Sequence, residues 1–250
     1  GGNQSVASDY VLDATNKDVS ASISQKTVGL SANRVYTGNT DLTGAVTVAT
    51  GVGGETLAYT GAVASNANVA TSNKYVSAIV LADATDGSGG LAGNYQLPSL
   101  TTAGANNAIT ITARPLTVAA SNASKTYDGQ PYSGGNGVNF SGFATGEGAS
   151  VLTGTLAYTG TSQGAVNAGS YVVTPGGLTS SNYAITFAPG TLTVNKANLT
   201  LSGSRSYDGT TQFAGQYLTA NGVNGESFVV TGAGDNSNLI SRHVAANQGM

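Results

Sequence analysis

Cysteine and tryptophan are absent from this 250-residue chain, histidine and methionine occur once each, and only 8% of the residues are charged. Each scarcity excludes something. Without cysteine there is no disulfide, no thiolate nucleophile and no thiolate metal site. A chain with no cysteine also suits export in an unfolded state, where a premature crosslink would block passage. The one histidine, His243, would confine any Ser-His-acid arrangement to the end of the sequence. The twelve acids are spread thinly, at about one per twenty residues, and present no carboxylate pair of the kind that glycoside hydrolysis needs. A net charge of −3 supplies no basic face for nucleic acid or for an anionic membrane surface. No apolar run approaches the roughly 20 residues that span a bilayer. No signal peptide is visible, and Gly1-Gly2 reads as a cut from something longer.

What the chain does have is 36 glycines, 12 tyrosines, many Ser, Thr and Asn residues, and 40% hydrophobic residues in short alternating runs. That hydrophobicity, with little charge, is the composition of a folded chain rather than a disordered one. The period is two, as in half-buried strands. Expected strands are Ala45–Thr50, Thr56–Thr60, Tyr75–Leu81 and Ala108–Thr112, then Leu116–Ala120, Val138–Phe143, Gly154–Tyr158, Ser170–Thr174, Tyr183–Phe187 and Thr191–Val194. Asn136-Gly137, Gly176-Gly177 and Pro189-Gly190 read as turns, and 83–90 as an exposed loop. Thr145–Val151 is expected to make one helical turn with Thr145 as its N-cap. No segment carries a helical period of ten residues, so the fold class is mainly β.

Three copies of one pattern organise the chain. Arg34-Val35-Tyr36-Thr37-Gly38, Lys125-Thr126-Tyr127-Asp128-Gly129 and Arg205-Ser206-Tyr207-Asp208-Gly209 share a base, a spacer, a Tyr, a spacer and a Gly. Gly-Glu follows, with Glu55, Glu147 and Glu226 lying 19, 20 and 19 positions after the tyrosine. Thr-Gly comes next, as Thr60-Gly61, Thr153-Gly154 and Thr231-Gly232. Matched landmarks in three copies mean tandem modules, here of roughly 80–90 residues.

Residues 1–26 read as the closing strands of a preceding, truncated module, since Asp9-Tyr10-Val11-Leu12 resembles Asn94-Tyr95-Gln96-Leu97 and Asn182-Tyr183-Ala184-Ile185. Modules then follow at 27–114 and 115–196, with an incomplete one at 197–250. The junctions carry Lys26, Arg114 and Lys196 and no flexible spacer, so the modules are expected to hold a fixed relation and form an elongated rod. The spare ending at the front, here Ala21–Lys26, is expected to add to an open edge within 197–250 of another copy, head to tail.

Charges that recur once per module are most simply architecture, with the repeated Glu pairing with one of the repeated bases. The alternative is a repeated ligand site. The Tyr of Tyr-x-Gly would anchor its turn, or stack on a sugar. Tyr59, Tyr132, Tyr158 and Tyr217, less tied to turns, are the candidate glycan contacts. The repeat-signature residues proper are Tyr36, Gly38, Glu55, Tyr127, Gly129, Glu147, Tyr207, Gly209 and Glu226. Asp83, Asp86 and Asp235-Asn236 are calcium candidates that lack convergent partners in sequence. Gly51-Val52-Gly53-Gly54 and Gly146-Glu147-Gly148 do not open onto helices and fail as phosphate loops. A Lys–Asn amide crosslink and glycosylation at Asn122, Asn139 and Asn198 are permitted by composition alone. No catalytic residue, cofactor or metal is expected.

The order of these landmarks resembles a known family. Lys125–Gly129, Gly142–Glu147, Ser150–Leu156, Asn167–Tyr171 and Asn182–Ile185 resemble the MBG repeat. Arg34–Gly38 with Ala92–Tyr95, and Arg205–Gly209, look like the related YDG repeat, with Thr37 standing where Asp128 and Asp208 do. Such repeats occur in large secreted bacterial adhesins resembling filamentous haemagglutinin, often exported by two-partner secretion. The resemblance implies β-grasp-like modules, in which the first and last strands lie side by side, set end to end. It implies a rigid stalk at the bacterial outer surface or outside the cell, projecting a distal binding region for attachment or biofilm formation. Its partners would be neighbouring repeats. The alternative is a module that itself contacts host or matrix polysaccharide.

Overall fold

A computed structural model describes residues 22–210 and 214–231. Among them the chain is β-rich, in several small sheets, with single 3₁₀ turns and no α-helix. Among the described residues no helix is long and apolar enough to cross a membrane. The described residues fall into two compact units: one holds those up to Val35 together with Asn39–Thr112, and the other holds Tyr36–Gly38 and those from Ala113 onward.

The first unit contains β1 (Lys26–Thr27), β2 (Gly29–Val35), β3 (Val46–Ala49), β4 (Ala58–Ala64), β5 (Val76–Ala82), β6 (Tyr95–Gln96) and β7 (Asn107–Thr112). β2 is the central strand of a sheet, antiparallel to β3 and parallel to β7. The period-two pattern explains the packing: Leu30 and Ala32 of β2 and Ile109 and Ile111 of β7 are buried, while Ser31, Asn33, Thr110 and Thr112 are exposed. β4 and β5 form a separate antiparallel pair, and β1 pairs in parallel with β6. Leu42, Val28 and Val76 are fully buried, each worth about 1.5–3 kcal/mol. One buried amide ties the layers together. Asn107 donates to the carbonyls of Val76 and Ser99, both at 2.9 Å, and accepts from the Val76 N–H at 2.8 Å, so its burial is compensated.

The second unit contains β8 (Arg114–Ala120), β9 (Ala123–Thr126), β10 (Val138–Ser141), β11 (Thr153–Thr159), β12 (Gly169–Thr179), β13 (Tyr183–Ala188), β14 (Gly190–Asn195), β15 (Thr200–Gly203), β16 (Leu218–Asn221) and β17 (Ser227–Val229). β8 repeats the arrangement of β2, antiparallel to β10 on one side and parallel to β13 on the other. A second sheet runs β11-β12-β14-β9, with β9 at its edge and parallel to β14. In both repeats, then, early and late strands lie side by side in parallel. β15, β16 and β17 form a small antiparallel sheet. Leu116, Val118, Val173 and Leu192 have essentially no exposure and anchor this unit.

Several expectations are corrected. Gly176-Gly177 is not a turn: β12 runs straight through it, and the register against β11 shifts opposite, between Gly154 and Ala157. A bulge accommodates these glycines without ending the strand. Thr145 caps nothing; the 3₁₀ turn is Ala149–Val151 with Gly148 before it and no side-chain cap. β2, β6, β9, β15, β16 and β17 fall outside the expected strands, and β2 and β9 run up to the Tyr-x-Gly turns at Gly38 and Gly129. Within the expected ending Ala21–Lys26, the described residues Ser22–Gln25 are irregular and Lys26 is in a strand. Ala21, Asp9–Leu12, Asp235-Asn236, His243 and the end of 197–250 lie outside the described residues.

Candidate functional site: the repeated tyrosine–glutamate clasps

Each repeated glutamate closes the same four-residue turn. The Glu55, Glu147 and Glu226 N–H groups donate to the carbonyls of Val52, Ala144 and Val223, at 3.3, 3.0 and 3.0 Å. The glycine before each glutamate has φ of +82°, +84° and +81°. That backbone region is closed to ordinary side chains, which is why the pair reads Gly-Glu in every copy.

The carboxylates that these turns present accept hydrogen bonds from tyrosines. Glu147 takes two. The Tyr36 hydroxyl donates to Oε1 at 2.7 Å, and the Tyr183 hydroxyl donates to Oε2. Tyr183 in turn accepts the Ala144 N–H at 2.9 Å, so the turn and the tyrosine hold each other. Tyr36 and Tyr183 are only 5% and 4% exposed. Phe143 packs edge-on against Tyr183 with centroids 5.4 Å apart, closing the apolar side of the clasp. Burial first, then the Glu147 carboxylate, pushes the Tyr36 hydroxyl up to about 12. Burial and the same carboxylate raise Tyr183.

The pattern recurs around Glu226. The Tyr127 hydroxyl donates to Oε1 at 2.5 Å, and Asn224 of the same turn donates through Nδ2 to the Asp128 carbonyl at 2.6 Å. The Tyr-x-Gly loop is therefore gripped at two consecutive residues. Gly129, at φ +72°, lies so close that a Cβ there would stand 2.4 Å from Asn224 Nδ2. Gly38 occupies the equivalent place beside Glu147, where a Cβ would come within 3.1 Å of Oε1. In the first unit, the Tyr95 hydroxyl donates to Oε2 of Glu55, and this bond is the main cause that raises Tyr95. The bond to Glu226 does the same for Tyr127. One rule covers all four contacts: a repeated glutamate accepts from the Asn-Tyr tyrosine of its own repeat, from the Tyr-x-Gly tyrosine of the preceding repeat, or from both.

The expected pairing of the repeated Glu with a repeated base is overturned. The bases brace their own loops instead. Lys125 reaches Asp128 at 2.7 Å and the Gln130 carbonyl at 2.9 Å. Arg205 pairs with Asp208 and donates to the Thr210 carbonyl at 2.8 Å. Arg34, whose repeat has Thr37 in place of the acid, donates to the Asn39 and Asp41 carbonyls. Of the junction bases, Lys26 donates to the Gly51 carbonyl at 2.8 Å and Arg114 to the Gly142 carbonyl at 2.6 Å.

The other candidates are scattered. Tyr207 and Tyr217 are exposed, and Gly209 has φ of +83°. The Tyr59 hydroxyl accepts the Val46 N–H at 2.8 Å. Tyr132 and Tyr158 pack, half-buried, against the core around Val173 and Leu192. Asp83 accepts from the Ala92 N–H at 2.8 Å. Asp86 accepts from Thr56 Oγ1 at 2.6 Å and from the Ser88 N–H at 3.0 Å, and these bonds hold its carboxyl down at about 2. Among the described residues no three His, Asp or Glu side chains converge as a metal site would require. Tyr95, Tyr183 and Asn224 belong to the clasps and lie outside the repeat-signature residues. The recurrence of Asn-Tyr was the available signal for the first two.

Searches of curated proteins and of solved structures returned no match to the chain. The MBG domain is a repeat module of adhesin-like proteins, and residues 116–193 match the family model of the MBG domain, YGX type.

Proposed function

We propose that this chain is a stalk segment of a bacterial surface or secreted adhesin, built from tandem β-grasp-like modules at 27–114, 115–196 and 197–250. Its work is spatial: it extends, it resists bending, and it carries a distal binding region away from the cell. It performs no catalysis. The observation that carries this reading is the double grip of Glu226 and Asn224 on Tyr127 and Asp128. A tyrosine bonded to a carboxylate, with an amide bonded to the adjacent backbone, supports a fixed relation between one repeat and the next. The tyrosine–carboxylate half of that grip recurs at Glu147, which supports a contact that can be copied from repeat to repeat, as a stalk requires. The absence of a Gly/Ser spacer at the junctions supports the same reading.

Small-angle scattering of the 250-residue chain tests it. A rod gives a pair-distance distribution with a long tail, and Tyr127→Phe/Asn224→Ala should broaden that distribution. A compact profile unaffected by the substitutions would remove the stalk.

A further inference from the structure

We propose that the groove beside β9 is a binding site for a neutral saccharide, recognised through uncharged amide and hydroxyl groups. The groove has a volume of about 530 Å³ and is lined by Asn122, Ser124, Tyr132, Gly135, Asn136 and Thr193, together with Ala123. Its volume is that of a small-ligand site. None of the lining side chains is charged, so nothing there would compensate a phosphate, carboxylate or ammonium group on a ligand.

The two asparagines carry the argument. Asn122 accepts the Thr191 N–H through Oδ1 at 2.9 Å. Asn136 donates through Nδ2 to the Asn122 carbonyl at 2.9 Å. Each amide is thus fixed by one of its two halves, which leaves Asn122 with a donor and Asn136 with an acceptor. A sugar hydroxyl both donates and accepts, and a fixed donor beside a fixed acceptor is its complement. The hydroxyls of Ser124, Thr193 and Tyr132 add groups of both kinds. None of these five free groups has a hydrogen-bond partner among the described residues.

The walls are held rigid. Ser124 and Thr193 are register partners on the parallel pair β9 and β14. The Tyr132 N–H donates to the Ala165 carbonyl at 2.9 Å, and its own carbonyl accepts the Gly164 N–H at 2.8 Å. Gln163 bonds both backbone groups of Gly134, at 2.8 and 2.9 Å. The Gly135 backbone lies on the Tyr158 ring, where a Cβ would stand 2.3 Å from the nearest ring carbon. A site set in advance loses little entropy when it binds. The proposal is independent of the stalk reading, since a spacer can carry such a site and a non-spacer can too.

The test is a titration of the ¹⁵N-labelled 250-residue chain with neutral methyl hexosides, with N-acetylhexosamines, and with methyl glucuronide and N-acetylneuraminic acid as anionic probes. At least one neutral probe should shift the side-chain amides of Asn122 and Asn136 saturably. Ser124→Ala/Thr193→Val removes two hydroxyls that hold nothing in the fold, and should weaken that binding about tenfold while leaving the spectrum elsewhere unchanged. Tyr132→Phe, which keeps the ring against the core, should weaken it as well. The proposal is overturned if no probe gives a saturable shift, if the shifts lie away from the groove, if an anionic probe binds tightest, or if both variants bind like the parent.

Discussion

Tyr36 and Tyr183 meet edge to face, with ring centroids 5.5 Å apart and planes at 79°, and both hydroxyls end on the carboxylate of Glu147. The two tyrosines lie 147 positions apart in sequence and belong to successive copies of the repeat. The carboxylate has one oxygen for each. Two buried hydroxyls are satisfied by one charged group, which sits on a turn that its own Gly-Glu pair shapes.

Removing the acceptor should therefore cost more than removing either donor. Glu147→Ala leaves two buried hydroxyls without their charged partner, and a loss of about 3 kcal/mol is expected. Tyr36→Phe and Tyr183→Phe should each cost about 1–2 kcal/mol. Glu147→Ala introduced into the double phenylalanine variant should cost much less than in the parent, because the groups it would orphan are gone. Urea unfolding with an unchanged slope measures all of these, and equal costs in both backgrounds would dismiss the clasp as a source of stability.

Gly129→Ala has two separable costs. The φ of +72° is strained for alanine, by about 1–2 kcal/mol. The Cβ also meets Asn224 Nδ2 and should force it off the Asp128 carbonyl. In an Asn224→Ala background only the backbone cost remains. Hydrogen exchange across Leu218–Val229 reads the difference. Equal acceleration in both backgrounds would mean that the grip on Asp128 contributes nothing.

At alkaline pH the clasps should fail together. The Tyr36 hydroxyl is held at about 12 in the folded chain, against 10 for a free tyrosine. The unfolded chain therefore loses this proton first. The stabilisation is complete below about pH 10 and is lost as pH rises from 10 towards 12. Tyr95, Tyr127 and Tyr183 are raised in the same direction. Tyrosinate absorbance should show these four ionising above the ordinary tyrosine value of 10, with circular dichroism collapsing as they ionise. If Phe substitution at the four removes no absorbance change above pH 10 while the fold persists, the hydrogen bonds are not as drawn.

The loop 83–90 has the opposite dependence. Thr56 and Ser88 hold the Asp86 carboxyl at about 2, below its ordinary 3.8. Its contribution is present above the ordinary value and is lost as pH falls towards 2. Exchange of the Ser88 amide should stay slow down to about pH 3 and should speed up in Asp86→Asn at neutral pH. An unchanged rate in the variant would show that Asp86 does not hold the loop.

Much of this protein is legible in its sequence. Period-two alternation located most of the strands, because burying one face of a sheet leaves that mark on every strand that pays for itself in apolar contacts. The thrice-repeated Gly-Glu announced turns, because positive φ selects glycine through local sterics alone. What the repeated charges do was not legible. The expectation joined Glu to the bases on sign, yet Lys125 and Arg205 found acids three positions away while the glutamates found tyrosines of their own and neighbouring copies. A local pair is visible in sequence; a partner 99 or 111 positions distant, such as Tyr127 for Glu226 or Tyr36 for Glu147, is set only by how strands pack. The sequence by itself determined the period, many of the strands and the Gly-Glu turns, since these follow from one residue and its immediate neighbours. Tertiary structure alone decided which tyrosine meets which carboxylate, since burial makes an unpaired hydroxyl costly and only the fold says which hydroxyls are buried together.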